Sequence, residues 1–240
     1  MSLRIAMWSG PRNISTAMMR AFENRPDTEV IDEPFYAAFL VRSGAEHPLR
    51  DEVLAAHEVD PEAVARAVAG DAPGGAAIYY QKHMTHHMLS GFPRGWMSRC
   101  RHAFLIRTPE RVLASYAKRR AEVTLADIGF TQQGDIFDEV AGRLGAPPPV
   151  IDADDVLADP ARALGALCRA LEIPFDPAML SWPAGPRASD GVWAPAWYDA
   201  VERSTGFAGS SPLPVITDPR LAALADEARP IYERLAAYRI

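Results

Sequence analysis

Near the N-terminus the apolar positions change period within a few residues. Residues 3–8 form a short apolar run, and after a polar turn Ile14, Ala17, Met18, Ala21 and Phe22 recur at i, i+3, i+4, i+7 and i+8. The first pattern is that of a strand and the second marks one face of a helix, so the chain opens strand, tight turn, helix. Residues 28–31 form a short run rich in β-branched residues that ends in Asp32-Glu33-Pro34, which predicts a second strand with acids at its C-terminal end, and residues 35–42 continue as a helix.

Residues 44–57 are polar and poorly periodic and predict a surface excursion or a mobile lid. Asp60-Pro61-Glu62 starts a helix that ends near Gly70, with Asp as N-cap and Pro at the first helical position. A third strand over residues 76–81 runs into Lys82-His83-Met84-Thr85-His86-His87, and a fourth over residues 102–106 delivers Arg107. Thr108-Pro109-Glu110 repeats the cap signal, and Gly145 begins a break before a fifth strand at residues 150–151. A capped helix from Asp159-Pro160, a long loop over residues 174–195 and an amphipathic helix over residues 219–240 complete the chain.

Strands alternating with helices predict an α/β three-layer sandwich, with a central parallel sheet of about five strands and ligands at the C-terminal strand ends. At 240 residues the chain is read as a single domain, residues 1–240. A net charge of −6 argues against nucleic acid or a membrane surface as partner, so positive charge must act locally. Two cysteines without C-x-x-C spacing, no apolar run of about 18 residues and a first strand starting at Leu3 predict a cytoplasmic protein. Of the strong bases only Lys82 and Lys118 are lysines, so a lysine here is needed as a compact ammonium that arginine does not imitate.

The turn Ser9-Gly10-Pro11-Arg12-Asn13-Ile14-Ser15-Thr16 sits at a helix N-terminus, where unpaired N–H groups and the helix dipole favour an oxyanion. Gly10 permits close backbone approach, Arg12 adds a forked cation, and Ser15 and Thr16 add hydroxyls. It lacks the second glycine and the lysine of a nucleotide triphosphate loop. Arg107 at a strand end and Ser115 two helical turns on can grip a second phosphate from two sides.

These residues resemble the sulfotransferase family, which uses 3′-phosphoadenosine 5′-phosphosulfate on a P-loop-type fold. Residues 9–16 are similar to its 5′-phosphosulfate loop, with Arg12 in the basic position and Ser15 and Thr16 in the hydroxyl positions; Asn13 and Ile14 depart from its Ser and Gly. Residues 106–116 resemble its 3′-phosphate motif through Arg107 and Ser115. Residues 150–160 are similar to its later strand and helix, and residues 187–193 to its glycine-containing loop over the nucleotide, which implies Trp193 near the adenine. Chains of this layout sometimes carry branched-chain aminotransferase labels.

The resemblance implies sulfuryl transfer to a hydroxyl or amine of a small acceptor. Arg12, and Lys82 if it reaches in, would neutralise charge on the leaving phosphate and the sulfuryl oxygens, with no metal expected. One general base is required. Relatives place a histidine two residues after a lysine, where this chain has Met84, so the candidates are Glu33, then His83, with His86 and His87 if the chain turns after Lys82. Competing readings are a nucleotide- or phosphometabolite-binding protein without chemistry, and, less favoured, a nucleotide kinase.

Overall fold

A computed structural model of the chain describes residues 1–118 and 122–240. Strands β1 (Leu3–Ser9), β2 (Thr28–Asp32), β3 (Ile78–Met84), β4 (Arg101–Ile106) and β5 (Val150–Asp152) form one sheet in the order β2-β3-β1-β4-β5, and every pairing is parallel. The helices placed around it are α1 (Ser15–Glu23), α2 (Tyr36–Ser43), α3 (Arg50–Ala56), α4 (Pro61–Val68), α5 (Pro109–Tyr116), α6 (Leu125–Ile128), α7 (Phe130–Leu144), α8 (Ala153–Ala158), α9 (Pro160–Ala170), α10 (Ala194–Trp197), α11 (Asp199–Glu202) and α12 (Pro219–Ala236).

Both faces of the sheet are covered because alternate residues of each strand point to opposite sides. Ile5, Met7, Tyr80 and Leu105 pack against Met18, Met19 and Phe22 of α1 and Leu164 and Leu167 of α9. Ala6, Trp8, Phe104 and Ile106 pack on the other side with Val64 and Val68 of α4, Ile136 and Phe137 of α7, and Leu235 of α12. Each such side chain contributes about 1.5–3 kcal/mol of burial. The predicted caps at Asp60 and Asp159 form, accepting from Glu62 N at 3.0 Å and Arg162 N at 3.0 Å. Thr108 occupies the N-cap position of α5, but its hydroxyl makes no cap bond.

Three sequence expectations change. Residues 44–57 contain α3, which buries Val53, so this stretch is more than a surface excursion. Strand β3 runs through Gln81, Lys82 and His83 to Met84 with all seven residues buried, and the chain turns only at the 3-10 turn Thr85–His87. Helix α7 follows Gly129 and lies in a stretch to which the sequence reading assigned no element. Among the described residues no helix is long and apolar enough to cross a membrane.

Candidate active site

The C-terminal ends of β1, β3 and β4 open into a cavity of about 290 Å³. Pro11, Arg12, Asn13, Ile14, Ser15 and Thr16 line one side of it, with Arg107 and Ser115 beside them. Arg12 and Ile14 adopt left-handed φ of 63° and 56° on either side of Asn13, a backbone alternation of the kind from which anion-binding concavities are built. No side chain caps α1, whose N-terminal residues Ser15 and Thr16 face the cavity. Asn13 Nδ2 donates to Leu105 O at 3.2 Å and ties the loop to β4, while its buried Oδ1 has no partner.

Gly10 does not line the cavity. A Cβ there would meet the Ile128 carbonyl oxygen at 2.8 Å, so glycine is required by packing under α6 rather than by approach to an anion.

The two basic segments are joined. Arg12 Nε donates to Ser115 Oγ at 2.9 Å, and Arg107 Nη1 donates to Arg12 O at 2.7 Å. Arg107 Nε is buried without a hydrogen-bond partner, and burial, against the opposing charge of Asp154, lowers the guanidinium pKa from its ordinary value. A bare buried donor on a cation is what an oxyanion would satisfy, so Arg107 fits an anionic group at this place. The acids at the end of β5 serve the fold: Asp152 caps α8 and accepts from Tyr232 at 2.7 Å, and Asp154 pairs with Arg111 at 2.8 Å.

Across the cavity from this loop lies a buried network. Lys82 Nζ donates to Asp32 Oδ1 at 2.8 Å, Glu33 Oε1 at 2.7 Å and Tyr198 Oη at 2.7 Å, so all three ammonium hydrogens are taken. Tyr198 donates to Asp32 Oδ2 at 2.6 Å and accepts from Trp193 Nε1 at 3.0 Å. Burial alone would lower the Lys82 pKa, but the charges of Asp32 and Glu33 outweigh it and hold the group well above its ordinary value. For Glu33 burial dominates over the pull of Lys82 and raises its pKa above the usual carboxylate range. Glu33 also sits at a left-handed φ of 42° directly after β2.

The histidines separate. His83 is 2% exposed on the far face of β3, stacked on Trp8 at 4.7 Å and paired with Gln81 Oε1 at 3.1 Å, and it does not line the cavity. Its ring therefore touches none of the groups gathered around Glu33, as alternation along an unbroken strand requires. His86 and His87, carried inward by the turn after Met84, do line the cavity. His87 stacks on Tyr36 at 4.6 Å, and its Nδ1 stands 3.8 Å from Glu33 Oε2. Burial lowers His83 and His86 to about 3.

Trp193 forms part of the wall, 1% exposed and edge-on to Tyr36 at 4.9 Å. Asp32, Tyr36, His47 and Tyr198 join the site or its support without a motif to announce them; the one local signal was that Asp32 adjoins Glu33.

The chain matches the sulfotransferase domain family over residues 3–238. Two curated proteins of Arabidopsis thaliana, branched-chain-amino-acid aminotransferase-like proteins 1 and 2, are 41% and 38% identical to it over 234 residues. Those matches take in 98% of this chain but 42% and 41% of the relatives, so the chain spans about two-fifths of their length. Among solved structures, the sulfotransferase domain from the curacin biosynthetic pathway aligns with a TM-score of 0.56 and 15% identity over 95% of this chain and 98% of that one. A sulfotransferase from Alicyclobacillus acidocaldarius aligns with a TM-score of 0.54 and 13% identity over 99% and 95%. At such identities the likeness is one of fold.

Proposed function

The chain belongs to the sulfotransferase domain family, and on that premise we propose that it moves a sulfuryl group from 3′-phosphoadenosine 5′-phosphosulfate to a hydroxyl or amine of a small acceptor. The observation that carries this reading is the hydrogen-bonded junction of Arg12 with Ser115 and Arg107, all three lining the cavity that also receives Glu33.

When bound, the donor supplies an activated sulfuryl group on a phosphate leaving group. Arg12 and the uncapped N-terminus of α1 neutralise charge on the leaving phosphate, and Arg107 with Ser115 holds the 3′-phosphate. Trp193, in the cavity wall, is the residue assigned to the adenine. Glu33 takes the acceptor's proton, and its raised pKa brings it nearer the range in which a carboxylate is an effective base. Lys82 has no hydrogen to spare for the sulfuryl oxygens; its part is to hold Glu33 in place. Cytoplasmic location and a small-molecule acceptor belong to the same proposal.

The relatives' names raise aminotransferase chemistry, for which a Schiff-base lysine must lose its proton. Lys82 is buried between two carboxylates that keep it protonated, and Lys118 is exposed away from the cavity lining, so neither supports that reading.

Calorimetric titration with 3′-phosphoadenosine 5′-phosphate, beside AMP and ATP, tests the proposal on the wild type and Arg107→Ala. Preferential binding of the bisphosphate, falling about 10- to 100-fold toward the AMP value in the variant, supports it. Absence of bisphosphate binding overturns the donor assignment.

A further inference from the structure

We infer that the acceptor group taken by this site is a hydroxyl rather than an amine, and that His87 makes the choice by donating a hydrogen bond from Nδ1 to the attacking atom. The inference rests on the sulfuryl-transfer reading and on Glu33 as base.

His87 is 2% exposed, and its Nδ1 is buried without a hydrogen-bond partner. Both it and Glu33 line the cavity. The distance of 3.8 Å from Nδ1 to Glu33 Oε2 is too long for a hydrogen bond. It is also shorter than two hydrogen bonds laid end to end, roughly 5.6 Å, so one small atom resting in the cavity can contact both groups at once. Glu33 Oε1 is engaged by Lys82, which leaves Oε2 as the oxygen that faces this gap.

The ring is fixed in place by its neighbours. Tyr36 stacks on it with planes 2° apart, and Phe39 stacks on it at 4.8 Å. Burial, then the adjoining His86, His47 and Lys82, hold the His87 pKa well below the ordinary imidazole range, so the ring is neutral near pH 7 and carries one N–H. A nitrogen facing a carboxylate is better protonated than bare, because an N–H dipole is attracted to the anion and a lone pair is repelled.

A neutral imidazole with Nδ1–H distinguishes the two acceptor classes by counting electron pairs. A hydroxyl oxygen gives its proton to Glu33 Oε2, accepts from Nδ1–H with one lone pair and keeps the other for sulfur. An oxygen–sulfur bond forms, the sulfur–oxygen bond to the 5′-phosphate breaks, and that electron pair leaves on the phosphate; nothing is oxidised or reduced. A primary amine, once deprotonated to neutrality, has a single lone pair. Accepting from Nδ1–H occupies the pair needed for attack.

Two measurements on the full chain test this. Long-range proton–nitrogen spectra of histidine-labelled protein, with His87 assigned by its loss in His87→Phe, read the tautomer at pH 7: Nδ1–H is expected, and Nε2–H overturns the inference. In parallel, benzyl alcohol and benzylamine are offered with the sulfated donor to wild type, His87→Phe, which keeps the ring stack, and His87→Asn, which keeps an N–H near the δ position. The alcohol is expected to react at least tenfold faster in wild type and His87→Asn, with the ratio falling toward one in His87→Phe. Preference for the amine in wild type, or an alcohol preference that survives in His87→Phe, overturns it. If neither compound is sulfated by any of the three, the sulfuryl-transfer reading is what falls, and the tautomer still decides the part played by Nδ1.

Discussion

Lys82 donates to the phenol oxygen of Tyr198 at 2.7 Å, and this one hydrogen bond joins the middle of β3 to the segment that carries Trp193. Tyr198→Phe leaves an ammonium hydrogen, an Asp32 oxygen and the Trp193 indole N–H each one partner short in a buried place. The expected cost is about 1–3 kcal/mol, measured by urea denaturation. Because the chain has only two lysines, carbon-13 spectra of the lysine ε positions read Lys82 directly. Tyr198 contributes to raising the Lys82 pKa, so the variant's Lys82 signal should titrate at lower pH; an unchanged titration would mean that the contact carries no energy.

Acid should unfold the protein along a slope set by its buried histidines. His83 and His86 have folded pKa values of about 3, below the ordinary 6.5, so between these limits the unfolded chain binds protons that the folded chain refuses. The stability they confer is present above pH 6.5 and is lost as pH falls toward 3, at about 1.4 kcal/mol per pH unit for each ring. Denaturation series at several pH values should show His83→Phe with a slope shallower by about that amount.

Transfer should also have an acid limb of its own. Glu33 must be ionised to accept a proton, and its pKa is raised by burial and by the Asp32 charge, against the pull of Lys82. Activity is therefore expected to fall with decreasing pH at a higher pH than an ordinary carboxylate would give, and Glu33→Gln should lose at least 100-fold in kcat. A pH–rate profile whose limb lies at or below the usual carboxylate range would count against Glu33 as base.

Gly191 lies under the indole of Trp193 so closely that a Cβ would overlap the ring. Gly191→Ala should cost about 1–3 kcal/mol through overpacking and weaken bisphosphate binding by moving Trp193. Gly209→Ala, whose Cβ meets nothing within 4 Å, is the matched control and should do neither. Equal melting temperatures for the two variants would refute the packing argument.

The strand, loop and helix at residues 3–23 were legible because both periodicities are strong and local, and the spacing of Arg107 and Ser115 because Pro109 opens a helix between them. Strand β3 was read too short since Gln81, Lys82 and His83 look like the end of a strand. They are buried because each polar end finds a distant partner: Gln81 the Val68 carbonyl, Lys82 the acids Asp32 and Glu33 at the end of β2, His83 the Trp8 ring. Helices α3 and α7 follow Leu49 and Gly129, both left-handed and neither offering a side-chain cap, so the strongest start signal was missing. Tyr198 and Asp32 are 166 residues apart, and no local pattern encodes a meeting across that span.

The left-handed residues of the loop at residues 11–14 bear on discrimination. Ile14 is β-branched, and holding it at φ 56° costs on the order of 1–2 kcal/mol, charged to folding and not to binding. Under the proposed function, that loop is turned before its anion arrives. Because Arg107 donates to the Arg12 carbonyl and Arg12 to the Ser115 hydroxyl, the pre-set loop also fixes where that pair stands, and under the proposed function a ligand is chosen by the spacing of its two anionic groups, a ruler rather than a lock.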